Sequence, residues 1–160
     1  LGELFARDQN GNQAATADPV AVGRLREAEA SVALAADAYR DGIRSGDPRV
    51  RREARQRLAD LLKRQRCFEQ ATALWLEALE DGLLYPYVEL AKYYEHRLRA
   101  YGEAEQLVKR ALQGVATGAI EHPYPQQALR DLAKRLARIQ SREENARKRR
   151  NAQREGAHPA

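Results

Sequence analysis

Glu95 and His96 are the acid–histidine neighbours most worth weighing for chemistry, because an imidazole beside a carboxylate can pass a proton near neutral pH. Their setting argues for something plainer, an exposed polar turn leading into a loop. His96, His122 and His158 have neither the spacing of metal ligands nor a partnered cysteine or serine motif. Cys67 has no histidine near it in sequence and reads as a small, semi-buried turn residue rather than a reactive thiol. The acids are scattered among arginines instead of clustering as two-metal hydrolysis requires, and there is no glycine-rich phosphate loop or dinucleotide fingerprint. The sequence therefore predicts a chain that is not an enzyme and holds no cofactor or metal.

Binding would draw instead on cations and tyrosines. Arg51, Arg55, Lys63, Tyr87, Lys92 and Tyr93 would suit an acidic or carboxylate-ended peptide, since cations pair with carboxylates and tyrosine offers rigid area with a polar tip. A second set, Arg135, Arg138, Arg142, Arg147, Lys148, Arg149 and Arg150, would suit phosphates. Residues 130 to 155 carry ten lysines and arginines against four acids, while the chain of 160 residues has a net charge of +5, so the remainder is close to neutral. Plainer readings stand beside both: a solvated helix face whose aliphatic stems cover apolar neighbours, and a tail basic for solubility.

These residues must be positioned by two phased segments. In the first, Leu58, Ala59 and Leu62 are followed by Phe68, Ala71, Trp75 and Ala78; in the second, Leu90, Ala91 and Tyr94 are followed by Tyr101, Ala104, Val108 and Ala111. Each fits two helices, and Ala71 and Ala104 lie 33 residues apart. Ala71 and Ala104 fall where the helices of one hairpin cross, Ala78 and Ala111 where one hairpin meets the next. A larger side chain at any of them would push the axes apart. The loop between Tyr94 and Ala104 is one residue longer than its counterpart.

Along the chain, Asp18-Pro19 and Asp47-Pro48 signal helix starts. Val22, Leu25, Ala28, Val32, Ala36, Tyr39 and Ile43 step by three or four and predict one long helix ending near Gly46. A basic amphipathic helix follows, then a partner from Phe68 to about Glu80, broken at Asp81-Gly82. Pro86 opens the next helix, which buries Leu90, Ala91 and Tyr94 and leaves Tyr87 and Tyr93 as the exposed tyrosines. Gly114 and Gly118 end its partner. Leu129, Leu132, Ala133, Leu136 and Ile139 form the stripe of a last helix; past Gln140 the stripe stops, predicting fraying and then disorder. The expected organisation is a linker over 1–17, with Leu1, Leu4 and Phe5 as the end of a preceding domain, a helical repeat domain over 18–140, and a basic, partly disordered tail over 141–160. A start at Leu1 instead of methionine reads as a fragment of a longer protein.

A single cysteine excludes an internal disulfide framework and fits a reducing, cytoplasmic setting. No window approaches the roughly 18 apolar residues of a membrane helix, and no signal peptide is visible. No membrane partner is expected.

The phased pattern resembles the tetratricopeptide repeat, a helix-turn-helix unit of about 34 residues, over residues 47 to 113. Alanine stands at 59 and 91 where that family often has glycine, and no proline closes either unit. The resemblance implies an all-α fold, a short right-handed solenoid of antiparallel helix hairpins. The run Tyr87-Val88-Glu89-Leu90-Ala91-Lys92-Tyr93-Tyr94-Glu95-His96-Arg97, followed by Tyr101 and Ala104, is similar to the C-terminal repeat region of bacterial YprB-type proteins, in which a ribonuclease-H-fold domain precedes the helices. That resemblance implies nuclease activity for a parent chain only, because none of its acidic catalytic positions occurs here.

The expected function is a non-catalytic protein-interaction or scaffold module, a C-terminal fragment of a larger nuclease-like protein, with a protein or acidic peptide as partner. The alternative is an accessory nucleic-acid-binding region using the basic C-terminal helix and tail; a third reading is a structural appendage that stabilises its parent. The sequence leaves the oligomeric state open.

Overall fold

A computed structural model describes residues 17 to 156. The expected linker, except Ala17, and His158 fall outside the described residues. Within them the protein is all-helical, with seven α-helices and no strand: α1 (Pro19–Ala28), α2 (Val32–Ile43), α3 (Pro48–Arg64), α4 (Phe68–Ala78), α5 (Leu84–Tyr93), α6 (Tyr101–Thr117) and α7 (Pro125–Gly156). Both Asp-Pro signals act as expected: Asp18 Oδ1 accepts from the Val20 N–H at 3.0 Å, and Asp47 Oδ1 from the Arg49 N–H at 2.8 Å. Among the described residues no helix is long and apolar enough to cross a membrane.

The single helix expected between Pro19 and Gly46 is in fact two, α1 and α2. The chain turns at Ala30, where φ is +57°, and the Ser31 N–H reaches the Arg26 carbonyl at 2.8 Å. This helix-ending turn usually takes glycine at the left-handed position, so alanine there hides it from the sequence. Related closures join α3 to α4, with Arg66 at +61° and Cys67 N–H on the Leu62 carbonyl, and α5 to α6, with Arg99 at +53° and Ala100 N–H on the Tyr94 carbonyl. The extra residue of the last connection is absorbed by a π-helical turn, Tyr94–Leu98.

Each helix packs against the next in sequence, and α1 also touches α3. The phased pairs Leu58 and Leu90, Ala59 and Ala91, Ala71 and Ala104, Trp75 and Val108, Ala78 and Ala111 are all at most 4% exposed. The alanines thus lie at helix contacts, where a branched side chain would not fit. The α1–α2 pair uses glycine instead: a methyl at Gly23 would collide with the Tyr39 ring. Tyr39 donates to Glu27 Oε1 at 2.5 Å, and burial together with that carboxylate pushes its phenol up to about 12.

The odd-numbered helices are linked by ion pairs as well. Arg24 meets Glu53 and Arg64 meets Glu27 between α1 and α3; Lys63 meets Glu89 at 2.5 Å between α3 and α5; Glu95 of the π-turn meets arginines of α7.

Three further expectations change. Gly114 lies inside α6, packed under Ile120, so that Gly118 alone ends the helix. Ala133 is exposed, and Ala128 takes its place in the buried stripe of α7. The helix continues past Gln140, where the apolar stripe stops, to Gly156. Residues 141 to 155 hold no glycine or proline, and helix-favouring Arg, Lys, Glu and Ala dominate them. Arg142 is tied to Glu95, and Glu144 pairs with Lys148 one turn on, at 2.7 Å.

Candidate functional site

The expected peptide-binding residues mostly serve the fold. Arg51 donates to the carbonyls of Ser45 and Gly46 at 2.8 and 2.9 Å, bracing the α2–α3 connection. Arg55, its side chain only 15% exposed, meets Asp81 at 2.5 Å and Glu77 at 3.6 Å, joining α3 to the end of α4. Lys63 and Lys92 share one carboxylate, Glu89, at 2.5 and 2.7 Å. Burial works to raise the Glu89 carboxyl, but hydrogen bonds and charge from the two lysines outweigh it and hold the group below its ordinary range. Tyr87 is buried, contrary to expectation; its hydroxyl approaches the Leu79 carbonyl and Arg110 lies 5.5 Å from its ring centre. Tyr93 stays half-exposed and stacks on Phe68, with centroids 6.1 Å apart at 20°.

The phosphate-binding set divides in the same way. Glu95, expected in an exposed turn, is 1% exposed and gathers the first three of these arginines. Arg138 donates to both of its oxygens, at 2.9 and 3.1 Å; Arg135 donates at 3.3 Å, and Arg142 lies at 2.9 Å. Positions 135, 138 and 142 share one face of α7, which the π-turn presents with Glu95. Burial opposes ionisation of Glu95, yet the Arg138 hydrogen bonds and neighbouring positive charge hold its carboxyl below the ordinary range. Arg138 gains proton affinity from the bond, whereas burial and the neighbouring Arg138 charge lower that of Arg135. Arg138 is therefore the principal counter-ion. His96 stands outside this knot, with Nδ1 3.2 Å from Arg142 and Nε2 3.6 Å from Glu95.

Once these pairs are assigned, Arg49, Arg52, Arg110, Arg130, Lys134, Arg147 and Arg154 remain without a carboxylate partner among the described side chains, spread along α3, α6 and α7, and five further arginines share that state at the connections and the end of α7. Arg66, Arg97, Arg99, Arg149 and Arg150 have no carboxylate within 4.0 Å among the described side chains. They collect at two neighbouring clefts. One, of about 550 Å³, lies between the π-turn and α7 and is lined by His96, Arg99, Tyr101, Arg142, Arg149 and Arg150. The other, of about 420 Å³, lies at the α3–α4 turn and is lined by Arg66, Cys67, Phe68, Glu69, Tyr93 and Arg97. Cys67 is exposed there instead of semi-buried. Arg66, Arg97 and Arg99 were not among the expected site residues; Arg66 continues the basic run of α3 and Arg97 and Arg99 belong to the 94–100 connection, and only folding sets them beside the two clefts.

Neither cleft carries a recognisable catalytic arrangement. The one buried acid, Glu95 in the first cleft, is paired with arginines, and among the described residues no group of three or more His, Cys, Asp or Glu is placed to hold a metal ion. In each cleft the arginines outnumber the single lining carboxylate, Glu95 in one and Glu69 in the other, and an anion would relieve the repulsion among them. Comparison with protein-family profiles, with curated proteins and with solved structures finds no match for this chain.

Proposed function

We propose that this chain is a non-catalytic binding module, a short solenoid of tetratricopeptide-like hairpins that holds an anionic macromolecule, nucleic acid before acidic peptide, for a larger nuclease-like protein. The distribution of unpaired cations carries the reading. Five of the six residues suited to an acidic peptide are engaged inside the fold by salt bridges, carbonyl hydrogen bonds or burial, whereas five unpaired arginines, Arg66, Arg97, Arg99, Arg149 and Arg150, line two open clefts where the α3–α4 turn, the π-turn and α7 come near one another. The buried alanines and the ion pairs between odd-numbered helices support a rigid array on which such clefts keep their shape.

A protein partner remains the second reading. Leu25, Val32 and Leu34 are exposed on α1 and α2, apolar area that a protein surface would cover.

Anisotropy titrations of a labelled oligonucleotide and a labelled poly-glutamate peptide against the intact chain, at about 50 and 200 mM salt, separate these readings. Nucleic-acid binding that weakens steeply with salt, with weaker peptide binding, is expected. Peptide binding stronger than oligonucleotide binding at low salt would overturn the preference.

A further inference from the structure

We infer that the two clefts form one track for single-stranded nucleic acid, in which Arg99, Arg149 and Arg150 hold phosphates and the guanidinium of Arg97 receives a stacked base. This rests on the anionic-ligand reading above and narrows it to one ligand class.

The π-turn supplies continuity. It projects consecutive residues into different clefts, His96 toward α7 and Arg97 toward the α3–α4 turn, so the openings border the same short stretch of backbone. Arg97 sits 4.0 Å from the centre of the Phe68 ring. Phe68 stacks in turn on Tyr93, which meets Tyr94 edge to face at 5.9 Å. The result is an aromatic column capped by a planar cation that has no carboxylate partner among the described side chains. Held this way, the guanidinium has already lost much of its rotational freedom and keeps its outer side available, as a stacking platform needs.

On the other side of the turn, Arg99, Arg149 and Arg150 border the larger cleft with Tyr101. Cations that track a backbone beside planar groups that accept bases are the combination single strands require. A duplex keeps its bases stacked inside and offers Arg97 nothing to stack upon, so this arrangement favours unpaired strands.

The test uses the full chain with a labelled oligothymidylate of about twelve nucleotides and the matching duplex. Single-strand binding should exceed duplex binding by about tenfold, and Arg97→Lys, which keeps charge but removes the plane, should weaken it several-fold without changing its salt dependence. Arg149→Gln with Arg150→Gln should instead flatten the slope of log K against log salt by about 1.4, the contribution of two phosphates in a single strand. Circular dichroism melts should be unchanged for these exposed substitutions. Equal binding of strand and duplex, with Arg97→Lys behaving as wild type, overturns the single-strand track while leaving anion binding intact. Absence of binding by either at low salt overturns both.

Discussion

Glu95 and Arg138, 43 residues apart in the chain, meet through two hydrogen bonds of 2.9 and 3.1 Å, and this contact registers the last helix against the π-turn of the hairpin before it. Arg135 and Arg142 flank the contact along the same helix face. A buried carboxylate of this kind contributes little net stability compared with an apolar substitute, but it costs much when its charge is removed and the cations stay behind.

Glu95→Gln keeps the shape and leaves three arginines without their shared anion. The side chains of Arg138 and Arg142 are 44% and 42% exposed, so solvent screens part of the loss. The expected cost is about 2 kcal/mol, a fall in Tm of about 6 °C for a chain of this size. Combining it with Arg138→Met should cost less than the sum of the two, measured as a double-mutant cycle by thermal melts.

Acid should release α7. A carboxyl held below its ordinary range in the folded state contributes stability that is complete above the unfolded value and is lost as pH falls through the folded one. Glu95 and Glu89 both behave this way, from an ordinary value of 4.5. Asp60, raised by burial and by the Glu89 charge, acts in the opposite sense and softens the onset. Melting temperature should therefore hold between about pH 7 and 5 and fall below that, with a shallower fall in Glu95→Gln.

The helix contacts predict a size limit. Ala71→Leu or Ala104→Leu, each at a position 0% exposed, should destabilise by about 2 kcal/mol through overpacking, and Trp75→Ala by about 4 kcal/mol through the cavity left behind. Ala133→Leu, on the exposed side of α7, should change stability by less than about 0.5 kcal/mol, and denaturant titration distinguishes the cases.

Turn geometry makes the opposite kind of prediction. Ala30 is held at φ +57°, a conformation that costs a residue with a Cβ about 1 kcal/mol. Ala30→Gly should offset the added flexibility of glycine in the unfolded chain and raise stability by up to about 1 kcal/mol in a denaturant melt.

Local signals that act through one mechanism were legible in the sequence. The Asp-Pro starts form their caps, Gly82 adopts the left-handed φ of +67° that ends its helix, and the alanine spacing marks the buried contacts. The α1–α2 turn was hidden because its left-handed residue is alanine, and an apolar period of three or four continues across it. Glu95 was misjudged for a different reason. Its counter-ions lie 40 and more residues away, and nothing local distinguishes a carboxylate about to be buried from one left in water. Distance concealed the fate of Arg55 in the same way, since Asp81 lies 26 residues on, whereas Arg51 and Tyr87 bond to nearby carbonyls whose availability depends on how the turns close.

The division of cations into those that hold the fold and those that bind is tested most directly by two charge-matched variants, each measured for both Tm and oligonucleotide affinity. One carries Arg55→Gln, Lys63→Gln and Lys92→Gln; the other carries Arg99→Gln, Arg149→Gln and Arg150→Gln. The first should lose several degrees of Tm and bind nearly as the parent does, while the second should melt with the parent and lose affinity by tenfold or more. Equal losses of affinity in both, or a loss of stability confined to the second, would contradict it.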